Sequence, residues 1–290
     1  VSKEEFASID RQLLTEKIYQ SMYEQYSRKN EKIIQKAFPQ VKHVFETMSD
    51  RYKNIVFPLS DGRREMQMVL NLEEAYSTNG KEILRTSQFV AWAAEMNFIV
   101  AAVNGAVYDD TSSWNAGNCC TNATTYQEND LLLASTVIDF IMSKYAVDQS
   151  RVWATGHSNG GMMAYRLACD LSDKITAIAV VTGVLVDDTC NPTKPVSTLH
   201  IHGNLDPTIP FHGGGKFETP SIFHSVQDMA YKNSCKGNPK ESSDAIEERY
   251  IWVCANGVET QLVNYQEQSH GWESGYTEEI LRFLFAHPRK

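Results

Sequence analysis

Between Glu5 and Met48 the apolar residues Phe6, Ile9, Leu13, Tyr19, Met22, Tyr26, Ile33, Ile34, Phe38, Val41 and Phe45 recur at broadly helical spacing among many charges. This spacing predicts an α-helical extension, broken near Pro39. After Arg51 the pattern changes. Short apolar, β-branched runs at Met66–Leu72, Phe98–Val103, Val152–Thr155, Ile175–Thr182 and Thr198–His202 alternate with amphipathic stretches near Ser87–Met96, Glu128–Tyr145 and Asn159–Leu171. Two more strand-like runs, Tyr250–Cys254 and Val258–Tyr265, precede a last helical pattern at Thr277–Phe285. Such alternation is how a mostly parallel sheet covered by helices reads in sequence. No internal repeat, low-complexity tract or long Gly/Ser linker divides it. The expected organisation is therefore a helical extension over residues 1–50 and one α/β domain over residues 51–290.

Within that alternation, Gly156-His157-Ser158-Asn159-Gly160 sits where a β-rich run meets a helical one. G-x-S-x-G in a strand–turn–helix setting is the pattern of a nucleophile elbow, in which a tight turn lifts the serine out of the sheet. Small residues at Gly156 and Gly160 permit such a turn, and the Asn159 N–H would lie beside the Ser158 hydroxyl. A serine is inert as a nucleophile until a base takes its proton, so a histidine and an orienting acid are needed. Asp206 follows the run Leu199-His200-Ile201-His202-Gly203, and His270 follows the later strands. Ser, Asp, His is the α/β-hydrolase chain order. His200 and His202 alternate along one strand face near this acid. Packing or hydrogen bonding is expected of them rather than metal ligation, because no carboxylate or cysteine falls at useful ligand spacing. No metal and no cofactor are expected.

Charge narrows the partners. With 27 basic and 36 acidic residues the net charge is −9, which offers no attraction to phosphate backbones, so nucleic acid is not an expected partner. The longest apolar run, Ile175–Val186, falls well short of the roughly 20 residues that cross a bilayer. Six cysteines, Cys119, Cys120, Cys169, Cys190, Cys235 and Cys254, contain no C-x-x-C and read as disulfides. Asn122-Ala123-Thr124 is a glycosylation sequon, and together these features predict a secreted protein. The charged start, Val1-Ser2-Lys3-Glu4-Glu5, has none of the apolar core of a signal peptide, so export implies a leader already removed.

Several separated motifs resemble one family. They are Ser113-Trp114-Asn115-Ala116-Gly117-Asn118-Cys119-Cys120, the run from Gly156 to Cys169, Cys190-Asn191-Pro192, His200-Ile201-His202-Gly203 with Asp206 and Pro207, and His270 with Trp272. Between about Phe89 and Pro288 the chain resembles the secreted polyhydroxybutyrate depolymerase and feruloyl/acetylxylan esterase group of α/β-hydrolases. The resemblance implies an α/β-hydrolase fold, Ser158 as nucleophile, Asp206 as orienter, His270 as base and three disulfides. Of the possible pairings, Cys235 with Cys254 is expected, leaving Cys119 and Cys120 to take Cys169 and Cys190 in an order left open. Trp114, Trp272, Tyr76 and His157 are candidate substrate-binding residues, with Tyr108 a further aromatic candidate. The substrate would be a small-molecule or polymer-linked ester.

The chain departs from this family at the loop that completes the oxyanion hole. Members carry His-Gly after the third strand, whereas here Asn71 and Leu72 take those positions and the Glu73 N–H would be the second donor. A carboxylate beside a developing oxyanion raises the barrier by like-charge repulsion unless it points away or is protonated. The segment Gln268-Ser269-His270-Gly271-Trp272-Glu273 also lacks the family's glycine-rich lead-in and the Pro after Trp. The leading expectation is a serine carboxylesterase acting through an acyl-enzyme. Its alternatives are acyl transfer, elimination or cyclisation on the same residues, with Glu73 or Glu74 as an added acid or base, and a non-catalytic binding protein on a hydrolase scaffold.

Overall fold

The apolar runs around Phe98, Ile178 and Leu199 become strands that are buried from end to end. In the computed structural model, which describes residues 66–72, 87–96, 98–103, 105–108, 111–119, 121–125, 127–187 and 189–290, the strands β1 (Met66–Leu72), β2 (Phe98–Val103), β5 (Val147–His157), β6 (Ala177–Val181), β7 (Ser197–Gly203) and β10 (Glu259–Tyr265) run parallel. The first 50 residues, Glu73, Glu74, Tyr76 and Cys120 lie outside the described residues. Every position of β2, β6 and β7 is buried, which requires cover on both faces of the sheet.

The sheet has eight strands in the order β2-β1-β5-β6-β7-β10-β9-β8. At one edge β8 (Lys240–Ser243) and β9 (Glu247–Val253) form an antiparallel ladder with β10. A separate hairpin pairs β3 (Ala106–Tyr108) with β4 (Thr111–Ser113). Helices α1 (Phe89–Met96), α2 (Asn122–Thr125), α3 (Asp130–Lys144), α4 (Asn159–Asp170), α5 (Ile222–Lys232) and α6 (Tyr276–Ala286) complete the described elements. Helix α4 buries every residue but Arg166 and Asp170 and packs on β5 and β6.

Strand order also locates the crevice. From β1 the chain crosses to β2 on one side and then returns to β5 on the other side of β1. Crossovers diverging in this way leave an opening at the carboxyl ends of the two strands, where open α/β sheets hold their ligands. Ser158 immediately follows β5.

Two elements differ from their apolar pattern for a plain reason. The first half of β5, Val147–Arg151, is polar and incompletely buried, so an apolar-run criterion starts it too late. Strand β8 is exposed at all its positions and is held by ladder bonds to β9 alone, so burial leaves no trace in its residues.

The cysteine pairing needs a correction. Cys169 bonds to Cys190, and neither takes Cys119 or Cys120. The long connection from β6 to β7 folds back over the last turn of α4, bringing the two Cα atoms to 5.1 Å. Lys232 of α5 donates a hydrogen bond to the Cys190 carbonyl and holds the connection there. Cys235 is bonded to Cys254, and Cys119 is disulfide-bonded as well.

Candidate active site

Ser158 has φ 54° and ψ −119°, a left-handed backbone that a serine adopts only when its surroundings impose it. Two restraints do so. Its N–H donates to the Val181 carbonyl of β6 at 2.9 Å, extending the ladder by one residue, and α4 must start at once to cover β5 and β6. Helix and strand approach most closely at Gly161, where a Cβ would come within 2.9 Å of Val180 Cγ1 and 3.3 Å of Gly183 Cα. Asn159 opens α4, and the N–H groups of a helix start point toward the residue before it. The Asn159 side chain accepts from the Trp114 N–H at 2.7 Å and donates to the Trp114 carbonyl at 3.2 Å, pinning the β4–α2 loop against the elbow.

Two neighbouring loops bring the other groups to Ser158. Strand β7 ends at Gly203, which has no space for a Cβ because the Gln268 and Ser269 backbone lies against it. The Asn204 N–H donates to Tyr265 and the Leu205 N–H to Gln268, so the loop after β7 is joined to the loop after β10. Asp206 lies on the first loop and His270 on the second. His270 Nδ1 is 2.7 Å from Asp206 Oδ2, and His270 Nε2 is 2.9 Å from Ser158 Oγ. The carboxylate accepts the Nδ1 proton, and the serine hydroxyl donates to Nε2.

Ser158 and Asp206 are each 4% exposed, whereas the His270 side chain is 17% exposed. Burial by itself would raise the Asp206 pKa. Hydrogen bonds from His202, His270 and the Ile209 N–H outweigh it and hold the carboxyl well below its usual range. His157 packs against His270 with ring centroids 4.9 Å apart. Burial, then the neighbouring His270, push its pKa down to about 3, and its Nε2 is sealed from water without a hydrogen-bond partner.

The remaining candidates are placed variously. Trp114 is fully buried and offers no face to a ligand, because the loop that carries it is clamped inward by Asn159. Trp272 is partly exposed; its indole N–H donates to Thr277 Oγ1, and its ring meets Phe89 edge-on. Asn122 is exposed at the start of α2. Among the described residues no group of three or more His, Cys, Asp or Glu side chains is arranged to hold a metal. Tyr165 of α4 joins the acid's surroundings through His200 and His202, a contact that no local motif signals.

Residues 121–247, which include the elbow and the loop that carries Asp206, match the phospholipase/carboxylesterase family. The chain has the α/β-hydrolase fold. The chain is similar to acetyl xylan esterase from Aspergillus awamori, with a TM-score of 0.60 and 15% identity over 80% of this chain and 93% of that one, a likeness of fold. It is 29% identical over 204 residues to feruloyl esterase B of Piromyces equi, covering 65% of this chain and 37% of the relative. With a probable feruloyl esterase C of Aspergillus niger it shares 34% identity over 113 residues, covering 39% and 40% of the two chains. The chain thus spans about two fifths of the length of these curated relatives.

Proposed function

We propose that the chain is a serine carboxylesterase. The observation that carries this reading is the continuous hydrogen-bonded line from Ser158 Oγ through His270 to Asp206. In this scheme His270 takes the serine proton as Oγ attacks the ester carbonyl, and the imidazolium that forms is stabilised by the Asp206 carboxylate. Charge then collects on the carbonyl oxygen, where the Asn159 N–H at the start of α4 serves as one donor. The register of β1 supports a second. Leu72 pairs with Gly156, two residues before the serine, so β1 delivers the chain to the sheet edge beside Ser158, with the Glu73 N–H next in line. His270 returns its proton to the leaving alcohol, and water activated by the same imidazole hydrolyses the acyl-serine.

The substrate class follows from the similar proteins, whose names specify feruloyl and acetyl xylan esterases, and we assign this chain a small-molecule or polymer-linked carboxylic ester. Trp272, two residues after His270 and partly exposed, supports an aromatic border to the site, with Tyr76 as its candidate partner. Residues 51–290 form the hydrolase and residues 1–50 an addition to it. Two described disulfides and the exposed Asn122 sequon support an exported, glycosylated protein. No helix among the described residues is long and apolar enough to cross a membrane.

Hydrolysis of p-nitrophenyl acetate and labelling by a fluorophosphonate test the reading together. Wild-type protein is expected to do both, and Ser158→Ala to lose the label and retain only about 10³–10⁴-fold acceleration over water. Wild-type protein that is folded yet neither labels nor hydrolyses overturns it.

A further inference from the structure

Behind Asp206 lies a run of buried polar side chains that proton transfer to and from Ser158 does not use. Tyr165 Oη of α4 is 2.8 Å from His200 Nδ1, His200 Nε2 is 3.0 Å from His202 Nδ1, and His202 Nε2 is 2.9 Å from the Ile209 carbonyl oxygen. The same His202 Nε2 is 3.3 Å from Asp206 Oδ2. Tyr165, His200 and His202 are each 0% exposed. Three polar side chains this deep in a parallel-sheet core carry a desolvation cost that an apolar trio would avoid, so their hydrogen bonds must do something that packing alone does not.

The partners determine the protons. A carbonyl oxygen only accepts, so His202 Nε2 carries hydrogen, and in a neutral ring His202 Nδ1 is then an acceptor. His200 must supply that hydrogen from Nε2, which leaves its own Nδ1 to accept the Tyr165 hydroxyl proton. The line therefore has one direction, from Tyr165 toward Asp206. Burial, then the neighbouring His202, hold the His200 pKa well below its usual value, and burial raises that of Tyr165, so neither of these two groups is charged near neutral pH.

We propose that His202 is a positioning residue for the Asp206–His270 pair, and that Tyr165 and His200 hold it in the tautomer that does this. The inference rests on the esterase reading of Ser158, His270 and Asp206. The carboxylate has four N–H neighbours: the Thr208 and Ile209 backbone at Oδ1, at 2.8 and 2.9 Å, and His270 and His202 at Oδ2. With both oxygens held, it cannot rotate away from His270. A neutral donor is what the chemistry needs here. A cation in place of His202 would cancel the carboxylate charge that stabilises the His270 imidazolium, whereas a neutral imidazole orients the carboxylate and leaves its charge available.

Removing the donor has a defined sign. Asp206 loses a hydrogen bond to its ionised form, so its pKa rises. Its charge then falls more fully on His270 and stabilises the imidazolium that forms there. Stabilising the protonated imidazole moves the acid limb of the pH profile upward. Among the described residues, the titratable side chains facing the pair are His157 from the end of β5 and His202 from β7, and His157 is left in place in every variant.

The experiment compares wild type, His202→Gln and His202→Leu in two measurements: the pH dependence of fluorophosphonate reaction at Ser158, and kcat and KM for p-nitrophenyl acetate. Glutamine keeps an N–H near the Nε2 position, and leucine keeps only volume. The leucine variant is expected to shift the acid limb up by about half to one unit and to lose about tenfold in kcat with KM unchanged, while glutamine restores the wild-type limb. A leucine variant that folds and keeps the wild-type limb overturns the proposal. Nitrogen-15 histidine NMR of the wild-type protein provides a readout that does not depend on turnover or on any variant folding. Two neutral, Nε2-protonated rings for His200 and His202 are expected, and an Nδ1-protonated or charged ring at either position overturns the proposal. If the wild-type serine does not label, the esterase reading fails by itself, and the NMR result still decides the tautomers.

Discussion

His157 and His200 are imidazoles held away from water, and each binds a proton less readily in the folded protein than in the unfolded chain. An unfolded histidine titrates near 6.5, so below that pH the unfolded state takes up protons that the folded state refuses. Their contribution is fully present above pH 6.5 and is lost as pH falls. For His200, which is 0% exposed, the loss is about 1.4 kcal/mol per pH unit below about pH 6. Asp206 does not interfere between pH 5 and 7, because its folded and unfolded pKa values both lie below that window. Urea unfolding is therefore expected to give a lower stability at pH 5 than at pH 7. His200→Leu should reduce that difference, with His157 supplying the remainder, whatever its effect on absolute stability. At this scale Ser158, Asp206 and His270 were legible as candidates, since each lies beside a strand end with recognisable turn or helix residues. The role of His202 was not, because it depends on Tyr165 of α4 and the Ile209 carbonyl, which lie next to it only after folding.

Among the elements, the junction of β7 and β10 sets the distance between Asp206 and His270. The two strands pair in parallel up to Gly203 and Tyr265, and the loops beyond them continue to hydrogen bond. Gly203→Ala would force the Gln268–Ser269 backbone away from the end of β7. The expected outcome is a stability loss of about 1–3 kcal/mol and a fall in kcat of about tenfold or more with KM little changed. Thermal unfolding and steady-state kinetics check both parts. The strands β1 and β2 follow the apolar runs that mark them, because both are short and β2 is buried at every position. Helix α5 has a readable start, since the Ser221 side chain caps it through the His224 N–H and Ile222, Ser225, Val226, Met229 and Ala230 recur on its buried face. Its apolar stripe is diluted by polar residues and drops below a pattern based on apolar runs alone.

For the molecule as a whole, the Cys169–Cys190 bond closes the connection between α4 and β7 around β6, the strand that hydrogen bonds to the Ser158 N–H. Removing it by the double change Cys169→Ala and Cys190→Ala is expected to lower unfolding stability by about 3 kcal/mol, as loop-closure entropy returns to the unfolded chain. Denaturant titration of the double variant against wild type measures this. Alternation, turn residues and the strand–serine–helix junction are local, so the sequence by itself determined the α/β class, the order of most elements and the residues worth testing. Pairing among cysteines, the inward clamp on Trp114 and the approach of His202 to Asp206 were decided only by the tertiary structure. Each depends on which loops the strand order brings within a few ångströms of one another, and residues distant in sequence carry no local record of that proximity.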